Sequence, residues 1–195
     1  MSKSDPSASK KQRNKTVRWV ITIFLVTIFV SGTISLISEE VMANSNIATA
    51  FLILLGIVLI GILFDVVGVA VTSADETPFH SMAARKVPGA QESIRLLRNA
   101  ERVSSICNDV VGDICGVVSG SASATIAVQI VNNFDFTWPN VVSLAMSALV
   151  AGLTVGGKAI GKTFAVNSST NIVHAVGKVI HWFRSLFACR RRKSN

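Results

Sequence analysis

Long apolar stretches alternate with short polar ones along most of this chain. The first apolar run covers about 17–37 and is rich in Val, Ile, Phe and Thr. The second covers about 47–72, the third about 104–131 and the fourth about 140–157. A helix needs roughly 20 residues to cross about 30 Å of hydrocarbon, so the pattern predicts four membrane-spanning helices. The first run is longer than a signal-peptide core, and no small-residue cleavage site directly follows it, so it reads as an uncleaved span. A fifth pattern lies in the tail. Ile172, Val173, Val176, Val179, Ile180, Phe183, Leu186 and Phe187 recur at spacings of three and four, which predicts an amphipathic helix over 170–188.

The segment 73–103 between the second and third spans is polar. Its breaks are a Ser/Asp/Pro cluster near Thr77 and the pair Pro88-Gly89. Between them and the third span, Ile94, Leu97 and Val103 fall toward one side, with Arg95, Arg98 and Arg102 interspersed. Both an interfacial helix and a solvated charged helix fit this pattern. The fold expected is therefore all-α: a helical membrane bundle with four spans over 17–188, a connecting helix and a C-terminal amphipathic juxtamembrane helix.

Charge orients this bundle. Of 195 residues half are hydrophobic and only 15% charged, with a mean hydropathy of +0.52, against about 25% charged in a soluble domain. Every Lys and Arg lies within 1–18, within 85–102, or from Lys158 onward. The two other interspan segments carry only Glu39, Glu40 and Asp135. By the positive-inside rule both termini and the 73–103 segment are cytoplasmic. Residues 1–16 are expected to be a disordered basic tail and 189–195 a polybasic one. The amphipathic helix beside Arg190-Arg191-Arg192-Lys193 should lie on an anionic inner leaflet, so the lipid bilayer is an expected partner. The net charge of +8, split this way, does not suggest nucleic-acid binding.

The third span carries the candidate chemistry. Asp109 and Asp113 lie four apart, on one face of an α-helix. Gly112, Gly116 and Gly120 repeat at the same spacing and let a second helix backbone approach. Ala148, Gly152 and Gly156 form a matching small face on the fourth span, and these faces suggest a homodimer. Asp65 in the second span either snorkels near the interface or meets the acids of the third. Cys107 and Cys115 suit packing, and no Cys/His metal spacing exists. Without a phosphate loop, nucleophile elbow or HExxH motif, an enzyme is not expected.

Three segments, FDVVGVAVTS from Phe64, RLLRNAERVSSICNDVVGDI from Arg95 and GGKAIGKTFAVNSSTNIV from Gly156, stand in order at suitable separations. Together they resemble the transmembrane domain of the CNNM/CorC family, associated with magnesium and cobalt transport, over about 47–183. The resemblance implies a cation site in these spans. Asp65 stands at a family Ser position, and Asp109 and Asp113 at two Asn positions. Gly68 and Lys158 replace Glu residues. The family's usual cytoplasmic domains have no counterpart here.

Two functional readings follow, beside a third in which the intramembrane Asp residues serve an unrelated carrier such as a proton-coupled one. In the first the chain moves or binds a divalent cation, Mg2+ in type, held by Asp65, Asp109 and Asp113 with the neighbouring Asn108; Mg2+ prefers such hard oxygen ligands. In the second it is a non-transporting membrane interaction or regulatory subunit with a membrane-protein partner, and Lys158 neutralises the acids. At about 4 Å and an effective dielectric near 20, one such pair is worth roughly 4 kcal/mol before desolvation.

Overall fold

The structure, a computed structural model, describes the backbone of residues 6–43, 45–134 and 138–192, and the side chains of 17–42, 45–133 and 138–186. The described residues form helices and their connections. Helix α1 is Pro6–Ala43, α2 Ile47–Ser73, α3 Thr77–Ala84, α4 Ala90–Arg98 and α5 Ala100–Ser105. A π-helical turn, Ile106–Gly112, leads into α6 (Asp113–Phe134), and α7 (Pro139–Asn167) and α8 (Ser169–Arg192) follow.

Four helical segments are long and apolar enough to cross a membrane: Val17–Met42, Ile47–Ser73, Ala100–Asn133 and Pro139–Asn167. Each runs past one or both of the ends expected from hydropathy alone. Once a helix is nucleated, adding a residue costs little, so polar flanks continue it. The same physics makes residues 6–16 helical where a disordered tail was expected: α1 starts at Pro6, a residue suited to a first helical turn. Residues 1–5 of that tail lie outside the described residues, as do 193–195 of the polybasic one.

Helices α2, α6 and α7 pack together and form the centre of the bundle. One face of α2 is buried throughout: Ala50, Leu54, Val58, Gly61, Asp65 and Gly68 follow at steps of three and four. Toward its start this face joins Met42, Ala122, Ile126, Met146 and Val150 in an apolar cluster. Toward its end Ala70 and Val71 join Phe79, Ala165 and Val173 in a second cluster, which draws in α3, α4 and α8. The stretch of α2 between the clusters carries Gly61, Asp65 and Gly68, so small and polar residues separate the two apolar cores.

Helix α1 is peripheral. Phe24, Leu25, Phe29 and Leu36 are 60% or more exposed, as suits a helix whose solvent is lipid. It is held at both ends. Gln129 Nε2 donates to the Met42 carbonyl at 2.7 Å, and the Arg102 guanidinium lies 5.8 Å from the centre of the Trp19 ring, within cation–π range.

The segment between α2 and α4 folds by local hydrogen bonding. Asp75 accepts from the Thr77 backbone N–H at 3.2 Å and from the Thr77 hydroxyl at 3.1 Å, and Pro78 sits in the first turn of α3. These bonds hold the Asp75 carboxyl below the usual carboxylate range. Helix α4 then crosses α8 closely. Gly89, at φ +87°, precedes α4, and a Cβ there would stand 2.6 Å from the Lys178 backbone nitrogen. Ser93 donates to Gly89 and to Val173 of α8, at 3.0 and 3.2 Å.

Candidate functional site

The stretch between the two apolar cores carries ionisable and amide groups on three elements, Asp65 on α2, Asn108 on the π turn and Lys158 on α7. Helix α2 faces the π turn and the start of α6 there, running antiparallel to them. Gly61 packs on Cys115, whose Cβ would lie 2.8 Å from an added Cβ. About two turns further along α2, Gly68 packs on the side chain of Asn108. Asp65 lies between these two glycines on the same buried face and is 4% exposed. From the third wall α7 brings Lys158. Its Nζ is 3.5 Å from where a Cβ on Gly112 would stand, and Gly112 lies between Asn108 and Cys115 in the chain. Gly157 and Gly161 on either side of Lys158 receive Ile62 and Val66 of α2, so α7 lies close against the Asp65 turn.

The polar bookkeeping of this nook is incomplete in a specific way. Asn108 spends its amide N–H on the Ser104 hydroxyl at 3.2 Å. Its Oδ1 is buried without a hydrogen-bond partner, and so is Oδ2 of Asp65. A buried polar atom left without a partner costs about 1–3 kcal/mol, more when charged. The remaining buried atoms of this kind among the described residues, Gln129 Oε1 and His174 Nε2, lie on α6 and α8, away from this nook in the chain. No ion pair joins Asp65 to Lys158. Two buried oxygens without donors therefore lie between the apolar cores, a carboxylate oxygen on α2 and an amide oxygen on the π turn, and the Lys158 ammonium reaches Gly112 of the same turn.

The expected three-carboxylate centre is not formed. Asp109 and Asp113 are both exposed, and Asp109 accepts from Ser105 at 2.9 Å. Among the described residues no three His, Cys, Asp or Glu side chains come together as a metal-binding group. The helix face turned toward α2 is the one carrying Asn108, Gly112 and Cys115, one position away from the acids. The π turn, with its i→i+5 bonding, sets which residues reach that face. Gly112 is thus part of the nook. Gly116 and Gly120 instead line an open groove of about 220 Å³ between α6 and α7, with Ser119, Ser123 and Thr154, and a Cβ on either glycine would meet no atom within 4 Å.

The close approach of Asn108 to Gly68 has no motif of its own in the sequence. The signal available was the register: Gly61, Asp65 and Gly68 share one helical face. The contact between α4 and α8 through Ser93 and Gly177 had no comparable signal.

The fold and the nook define a helical bundle with four helices able to cross a membrane and a polar break between two apolar cores. The chain matches no protein-family model, no curated protein and no solved structure.

Proposed function

We propose that this chain is a multi-pass membrane protein of divalent-cation transport, magnesium or cobalt in type, and that the Asp65–Asn108 nook is where the ion is handled. One observation carries the reading: Asp65 Oδ2 and Asn108 Oδ1, from two packed helices, are both buried and both lack a donor. An electropositive centre would satisfy them together. Both are hard oxygens, and Mg2+ typically takes one or two protein oxygens while retaining several waters. Counted at 1.5 Å per residue from Ile47 and Pro139, about 30 Å of hydrocarbon brings the chain to the turns of Asp65 and Lys158. The clustering of basic residues at that end supports a cytoplasmic border by the positive-inside rule, where cytoplasmic ions would reach it.

The position of Lys158 beside Gly112 favours a second reading, in which its ammonium serves as the positive centre and the chain is a non-transporting interaction or regulatory subunit. Melting the purified protein in Mg2+, Mn2+ and Co2+ separates the two. The transport reading expects a rise in melting temperature that Asp65→Asn abolishes. The subunit reading expects no response to metal and a lower melting temperature in Lys158→Met.

A further inference from the structure

Helix α8 has two working sides. One is clamped to α4: Val173 and Gly177 are buried there, Ser93 donates to the Val173 carbonyl at 3.2 Å, and Glu92 lies 3.6 Å from His181 Nδ1 and 3.5 Å from Arg184 Nη1. Residues 173, 177, 181 and 184 are one helix face. The other side carries Val179, Trp182, Phe183 and Leu186, each about half exposed or more. Trp182 and Phe183 stack edge to face with ring centres 5.1 Å apart. Side chains of this size left open beside one another mark a contact surface.

Two further observations point to its occupant. A single residue, Ser168, separates α7 from α8, and the last turns of α7 also expose large apolar side chains, Ile160 at 75% and Phe164 at 60%. The apolar surface of the spanning helix therefore continues onto α8. Around it the exposed charges are cationic: Lys162 and Lys178 are exposed, and the sequence continues as Arg190-Arg191-Arg192-Lys193. The only carboxylate paired with the outer half of α8 among the described residues is Glu92, on the clamped side. A surface that joins Trp and Phe to a cationic run suits a bilayer carrying anionic headgroups.

We infer that the outer half of α8 docks on anionic lipid of the leaflet next to it, with Val179, Trp182, Phe183 and Leu186 entering the acyl boundary while Glu92 holds the opposite side to α4. The clamp thereby ties lipid contact to the second apolar core, at the inner end of α2.

The test uses the full chain with Trp19→Phe and Trp138→Phe, which leaves Trp182 as the single tryptophan. The protein is reconstituted, one copy per nanodisc, in phosphatidylcholine alone or with phosphatidylserine, with brominated acyl chains as quencher and iodide as the aqueous one. The expected result is bromolipid quenching of Trp182 that strengthens with phosphatidylserine, together with protection from iodide. Replacing Arg190, Arg191, Arg192 and Lys193 by Gln should return the quenching to its value in phosphatidylcholine. Full iodide access in both lipids overturns the proposal. So does shielding from both quenchers only when two copies share a disc, which would make a second protein the occupant. Because no metal is present, the outcome is independent of the cation reading.

Discussion

The amide of Asn108 occupies the space that any side chain at position 68 would need. This contact brings α2 and the π turn together at the nook, and it predicts opposite outcomes for two chemically identical substitutions. Gly68→Ala must displace Asn108 and should destabilise the bundle by about 1–3 kcal/mol, the usual cost of overpacking. Gly120→Ala adds its methyl to open space, and the gain in helix propensity, up to about 1 kcal/mol, should leave it neutral or stabilising. Thermal melting of the two variants in the same detergent compares them directly.

The crossing of α4 and α8 rests on a smaller set of atoms. Ser93→Ala removes the bond to Val173 and the one to Gly89, and should cost about 1–2 kcal/mol. Gly177→Ala should cost more, since its added methyl would meet Ser93 and the Gly89 carbonyl, which stands 2.6 Å from it. Hydrogen exchange over 169–192 should accelerate in both variants, while exchange in α6 stays unchanged.

Asp75 provides a pH signature outside the spans. Its carboxyl is held below the usual range first by the Thr77 N–H and then by the Thr77 hydroxyl. A depressed folded value means that the group's contribution to stability is fully present above the unfolded carboxylate pKa and is lost as the pH falls through the folded one. Thr77→Val keeps the backbone bond and removes the hydroxyl. The Asp75 titration midpoint followed by carboxyl NMR should therefore rise toward the usual carboxylate range without reaching it.

The attachment of α1 can be tested at Gln129. Gln129→Leu removes the bond to the Met42 carbonyl. Polar contacts between membrane helices average about 0.6 kcal/mol, so the loss should be small in global melting. It should appear locally, as faster exchange at the α1–α2 connection.

Much of the architecture was legible in the residues because it follows from periodicity and charge. The four spans are apolar blocks of the right length, and the amphipathic pattern of 170–188 marked most of α8. The site was legible only in part. Asp65 stood out as an acid in an apolar run and Lys158 through the family resemblance; Asp65 is buried between Gly61 and Gly68 on α2, and Lys158 reaches Gly112. Asp109 and Asp113 stood out for the same reason but point outward, because an acid in a spanning segment is conspicuous whichever way it faces. The face that packs on α2 is instead small and weakly polar: Asn108, Gly112 and Cys115. Between lipid-facing helices close approach favours small residues, so bulky residues such as Val117 and Val128 are left exposed. A seven-residue π turn has no signature in side-chain spacing.

The central claim is that Asp65 and Asn108 jointly hold a cation. It is tested most directly by the melting temperature of the purified protein as Mg2+ is added after chelation, with wild type, Asp65→Asn and Asn108→Leu side by side. The account predicts a saturable rise for wild type and none for Asp65→Asn, with Asn108→Leu requiring at least about tenfold more metal, the equivalent of 1.4 kcal/mol. A wild-type protein indifferent to Mg2+, Mn2+ and Co2+ alike, or a response that survives intact in Asp65→Asn, would contradict it.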